Sequence, residues 1–148
     1  MSYYLDENGN PKAELLDKLA HKTAEQLVIV HNKKDKIHAN QLRKFYNDCK
    51  AMERKYCFVS QQLRDQDLSE TEAKKMALQR IYSRLKMLKS KVEYASNPKN
   101  PKIPSFFKDW LIRGIDEVNP NDPRDFEAFL LHFEAVVGFC YGLGLSNN

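Results

Sequence analysis

At 148 residues, 42% hydrophobic and 30% charged, the chain has the length for one domain with a proper core and too much apolar content for a disordered segment. No apolar run approaches the ~20 residues of a membrane span, and the opening MSYYLDENGNPK lacks the basic and apolar regions of an export signal. The net charge of +4 conceals a cationic block: residues 33–95 carry sixteen basic and eight acidic side chains, between flanks of −2 (residues 1–32) and −4 (residues 105–148), with +2 in residues 96–104.

Asn10 followed by Pro11 reads as a helix start with Pro at the first helical position. Leu15, Leu16, Leu19, Leu27 and Val28 keep a helical period to about His31, and the run Asn32 to Lys36 breaks it as a loop. From Ile37 to Leu63 the apolar residues Leu42, Phe45, Tyr46, Cys49, Met52, Tyr56 and Leu63 share one sector at 100° per residue, which fades near Arg64. Ser69 and Glu72 have capping-box spacing and predict a third helix to about Ala95. Its buried side is Ala77, Ile81, Leu85, Leu88 and Val92. Asp65, Asp67, Glu70 and Glu72 read as turn and N-terminal charges that favour the helix dipole.

Three prolines in SNPKNPKIP make residues 96–104 a connector. Ser105 is expected to cap a short helix through about Val118, and Asp122-Pro123 to open a last one that Gly142 and Gly144 end. The apolar face Phe126, Phe129, Leu130, Phe133, Val136, Val137 and Cys140 makes that last helix the expected anchor of the fold. No segment alternates as a strand would. The expectation is an all-α, single-domain bundle of about five helices spanning residues 1–148.

The chemistry points to binding. Arg43, Asn47, Lys50 and Arg54 stand at i, i+4, i+7 and i+11, in a sector away from the apolar one. They span roughly 16 Å at ~1.5 Å per residue, the length of about five phosphates of one strand. A solvated helix face has the same spacing, and that is the bland reading. Arg80, Arg84 and Lys91 border the buried side of the third helix as a second patch, suited equally to phosphate or to a carboxylate of another helix or subunit. Phe58 lies near the edge of the first stripe, where a partly buried core position is expected before a stacking role.

Active-site chemistry finds no support. His21, His31, His38 and His132 are scattered, without the pairings that ligate zinc. Cys49, Cys57 and Cys140 read as reduced packing residues of a cytoplasmic protein. The five glycines form no phosphate-cradling loop. No catalytic residue, metal ligand or cofactor is expected.

Leu42-Arg43-Lys44-Phe45-Tyr46 resembles a run in the small helical subunit of type III-A CRISPR effector (Csm) complexes. Further pieces follow in the same order: Leu85 to Lys91 leading to Tyr94-Ala95, the aromatic run Phe126 to Phe133, and Glu134 to Val137 before a Tyr-Gly-x-Gly end. The chain departs from the family pattern at Ser96 to Lys99, where an Arg is common, and at Phe139 to Tyr141, where a His is. The resemblance implies a non-catalytic subunit that stacks in several copies along the guide RNA–target RNA duplex and contacts RNA through basic side chains without reading sequence. Its neighbours would be the backbone subunits that cut the target and the large subunit that makes cyclic oligoadenylate. The candidate RNA-binding residues are those of the two patches, Arg43, Lys50 and Arg54 with Arg80, Arg84 and Lys91; self-association is expected, and a membrane partner is not. A helical protein–protein adaptor without RNA contact is the alternative. Phe106, Phe107, Trp110 and Phe139 exceed what a small bundle is expected to hide.

Overall fold

The computed structural model describes residues 2–146. Its helices are α1 (Ala13–Leu16), α2 (Lys18–Val28), α3 (Ala39–Asp65), α4 (Glu70–Ala95), α5 (Ser105–Asp116) and α6 (Pro123–Gly142). The architecture is the expected all-α bundle, with the first expected helix divided at Asp17. Between described residues the only β pairing is an isolated bridge of Leu5 with Pro11.

The division at Asp17 has a geometric cause. Leu15 is buried, and so are Ala20, Ala24 and Leu27, yet five steps of an unbroken helix would turn Ala20 about 140° from Leu15. Asp17 leaves helical geometry (φ −135°, ψ −96°), which lets both segments face inward. Leu16 and Leu19, expected on the buried side, are exposed as a result. Pro11 does not open the helix either: it pairs with Leu5, and Lys12 N–H donates to the Tyr4 carbonyl at 2.9 Å.

α3 and α4 form a long antiparallel hairpin and the most extensive helix pairing in the fold. The expected apolar faces are the buried ones, with Tyr46 half-buried. Asp67, at φ 70°, makes the turn between the helices, and Ser69 Oγ accepts the Glu72 N–H at 3.2 Å to start α4. The connector is a shaped turn: Lys102 and Ile103 both donate to the Ala95 carbonyl, and Ile103 is buried. Pro104, not Ser105, occupies the N-cap of α5. α6 opens as expected, with Asp122 Oδ1 accepting the Arg124 N–H at 3.1 Å and Pro123 in the first turn.

α6 lies against α2 and carries the aromatic centre of the core. Phe107 of α5 sits 5.6 Å from the Phe45 ring, 5.6 Å from Trp110 and 6.3 Å from Phe133. It is fully buried, so the bundle hides more of its aromatic surplus than expected; Trp110 and Phe139 are half-buried and Phe106 sits at the edge of exposure. No described helix is long and apolar enough to cross a membrane.

Candidate nucleic-acid interface

The first cationic stripe lies on the outer side of α3, but its members differ. Arg43 donates to the Tyr141 hydroxyl at 3.0 Å, which ties it to the end of α6. Lys50 pairs with Glu53 at 2.7 Å and lies 5.9 Å from the Tyr46 ring centre. The hydrogen bond to Glu53 raises the Lys50 pKa above its ordinary value. Arg54 is exposed and forms no ion pair among the described residues. A surface pair such as Lys50–Glu53 is worth roughly 0–1 kcal/mol, little enough for a phosphate to displace the carboxylate.

The second patch sits in a better-defined place. Two hollows lie end to end along the α3–α4 seam and share Asp48 and Lys91. Ala51, Arg84 and Met87 help to line one of them; Lys44, Tyr94 and Lys102 help to line the other. Together they make one groove, whose walls follow from helical spacing. Lys44, Asp48, Ala51, Lys55 and Phe58 recur every four or three residues along α3, as do Arg80, Arg84, Met87, Lys91 and Tyr94 along α4. Each series borders its helix's apolar sector, so packing the two sectors together sets the two series side by side.

Among the described residues, Asp48 is the single carboxylate lining either hollow, against Lys44, Arg84, Lys91 and Lys102. Lys91 reaches Asp48 at only 3.8 Å. Arg80 and Arg84 are exposed and form no ion pair among the described residues. On the far side of α4 the charges are spent internally, since Lys86 and Lys89 both hold Asp116 of α5, at 3.4 and 2.6 Å. That arrangement leaves the α3–α4 groove with the excess positive charge.

The residue-level expectations divide accordingly. Arg84 and Lys91 line the groove, with Arg80 in register beyond them on α4; Arg43, Lys50 and Arg54 lie round the outer side of α3. Lys44 of α3 and Lys102 of the connector line the groove as well, and Lys55 follows Lys44 along α3 in the same four-and-three spacing beside the apolar sector. Phe58 is not a core residue. It is 64% exposed, because two residues beyond the buried Tyr56 is about 200° round the helix.

Two of the thiols are structural. Burial pushes the Cys49 and Cys140 pKa values up to about 12. Cys57, expected to pack, is exposed instead. No three His, Cys, Asp or Glu side chains among the described residues come together as a metal site would require.

A family model described as Csm2 Type III-A matches residues 10–141. No curated protein and no solved structure matches the chain.

Proposed function

The chain belongs to the Csm2 family and is a subunit of a type III-A CRISPR Csm complex; from that premise we propose that it is a non-catalytic, RNA-binding one. In this reading several copies stack beside the backbone and large subunits and hold the ribose-phosphate chains of guide and target RNA without reading sequence. The observation that carries it is the α3–α4 groove, where Lys91 shares one hollow with Lys44 and the next with Arg84, and Asp48 is the one carboxylate among the described residues lining them. Guanidinium and ammonium groups suffice for phosphate contact, and no base pocket is needed for it. Arg80 extends the same edge, and Arg43, Lys50 and Arg54 add a flanking line of charge.

Each phosphate neutralised releases counterions, with a slope near −0.7 in log affinity against log salt for single strands. Three cations per copy make a weak site, and avidity along one RNA makes it adequate. Reversing Arg80, Arg84 and Lys91 to Glu should lower RNA affinity and reduce the slope by about 2, with helicity unchanged by circular dichroism. The same reversal at Arg43, Lys50 and Arg54 measures the flanking line. Unchanged affinity and slope in both variants would defeat the reading. No RNA binding at low salt would favour a protein adaptor instead.

A further inference from the structure

One end of the groove carries neutral polar groups as well as charge. The hollow of about 540 Å³ that Lys44, Lys91 and Lys102 line also takes in Gln41, Ser90 and Tyr94. Its neighbour along the seam has only the Ser83 hydroxyl of that kind among the described residues. Helical spacing brings the three together: Ser90 and Tyr94 stand one turn apart on α4, and Gln41 lies across the seam near the start of α3. The connector adds Lys102, whose backbone N–H donates to the Ala95 carbonyl at 2.7 Å and so holds the residue beside Tyr94. Tyr94 is 81% exposed, more than any other large hydrophobic side chain described. Among the described residues, neither its hydroxyl nor the Gln41 side-chain amide has a hydrogen-bond partner. Ser90 donates its hydroxyl to the Met87 carbonyl at 3.0 Å, which leaves its oxygen free to accept. Groups of this kind add little to a phosphate contact that three ammonium groups already make. They suit a hydroxyl.

We infer that this hollow recognises the ribose 2′-hydroxyl, so that the groove takes an RNA duplex in preference to one of the same shape and charge without that group. The inference rests on the RNA-binding reading above and names the sugar that the groove selects. Paired guide and target strands keep their base faces stacked inside and display their 2′-hydroxyls along a wide, shallow minor groove. A shallow surface is met by a side chain that stands out from the protein, as Tyr94 does. Its ring covers the apolar side of a sugar while its hydroxyl, both donor and acceptor, meets the 2′-oxygen. The Gln41 amide offers a second donor and acceptor, and the three lysines hold the flanking phosphates. Every ribonucleotide carries the 2′-hydroxyl, so the contact tells RNA from DNA without reading sequence.

The test compares two duplexes of one sequence, all-RNA and fully 2′-fluoro, by fluorescence anisotropy with the full-length chain. Fluorine keeps the A-form shape and the phosphate charge and removes the hydroxyl donor. The wild type should prefer the RNA duplex by about fivefold or more, the worth of one or two neutral hydrogen bonds. Tyr94→Phe with Gln41→Leu should bring the ratio close to one, while affinity for the fluorinated duplex and its salt slope stay unchanged. Tyr94→Phe alone keeps the ring at an exposed position and should lower the ratio at least about twofold; it decides the matter where circular dichroism shows the double variant to have lost helicity. Equal affinity of the wild type for both duplexes, or a ratio that survives the substitutions, overturns the inference and leaves the phosphate reading standing. Failure to bind either duplex at low salt overturns both.

Discussion

Trp110 donates its indole N–H to Nε2 of His132 at 3.3 Å. The other ring nitrogen, Nδ1, lies 2.5 Å from the Leu15 carbonyl. Two such partners fix a neutral imidazole that donates from Nδ1 and accepts at Nε2. Burial holds the His132 pKa below its ordinary value, with the Leu15 carbonyl pulling weakly the other way. In the unfolded chain the ring titrates near 6.5, so the unfolded state binds the proton first. The stability this site contributes is full above about pH 6.5 and is lost as pH falls from there toward the lower folded value. Denaturant midpoints, followed through the chain's one tryptophan, should be flat above that pH and fall below it. The loss is about 1.4 kcal/mol per unit of pKa depression, and His132→Gln should flatten the slope. A wild-type midpoint that does not move between about pH 7 and 5.5 contradicts the assignment.

Two helical glycines should respond oppositely to alanine. A Cβ at Gly138 meets nothing within 4 Å, so Gly138→Ala should stabilise by roughly 0.5–1 kcal/mol through helix propensity alone. A Cβ at Gly114 would lie 3.1 Å from the Tyr4 hydroxyl and 3.4 Å from the Phe129 ring. Tyr4 is fully buried and its hydroxyl donates to the Gly114 carbonyl, so it has nowhere to retreat. Gly114→Ala should therefore lose about 1–3 kcal/mol despite the better propensity. Urea midpoints of the two variants, measured together, decide it; a stabilised Gly114→Ala would show the Tyr4 contact to be soft.

Phe106 and Phe107 are neighbours with different fates. Phe107→Ala would empty the junction of Phe45, Trp110 and Phe133 and should cost about 3–5 kcal/mol. Phe106→Ala, at a position on the edge of exposure, should cost under about 1 kcal/mol. Similar losses at the two sites would mean that α5 does not pack as described.

Asp48 is the groove's own competitor for Lys91. Asp48→Asn should tighten RNA binding by roughly two- to fivefold at low salt, an advantage that fades near 1 M salt as screening shortens. Its effect on stability should stay within about 1 kcal/mol, because the pair is exposed and long. Unchanged binding at low salt would place the phosphates elsewhere.

Much of this fold was open to a reader of the sequence. The apolar sectors of α3, α4 and α6 are long and regular, so period alone picks out the inward side chains, and Ser69, Asp122 and Gly142 mark helix ends for local chemical reasons. What period could not disclose depends on two elements meeting. The break at Asp17 carries no Gly or Pro; it exists because Leu15 and Ala20 must both reach the core. The groove belongs to a pair of helices, and one helix read alone does not show which of its charged sectors lies beside a neighbour. Phe58 departs from expectation for a different reason: its residue type argues for burial, while its angle from Tyr56 argues for water, and the angle decides.

The amino-terminal segment is fastened to the far end of the chain. Ser2 donates to Asp125, Tyr4 to the Gly114 carbonyl, and Leu15 meets His132, across 123, 110 and 117 positions of sequence. During synthesis these first residues leave the ribosome long before their partners exist, while α3 and α4 can zip together as soon as both have emerged. The hairpin that bears the groove thus has every contact it needs to assemble early. The contacts of Tyr4 must wait for α5 and those of Ser2 and Leu15 for α6, and a chain stalled before them would present the groove while leaving Tyr4 and Leu15 adrift.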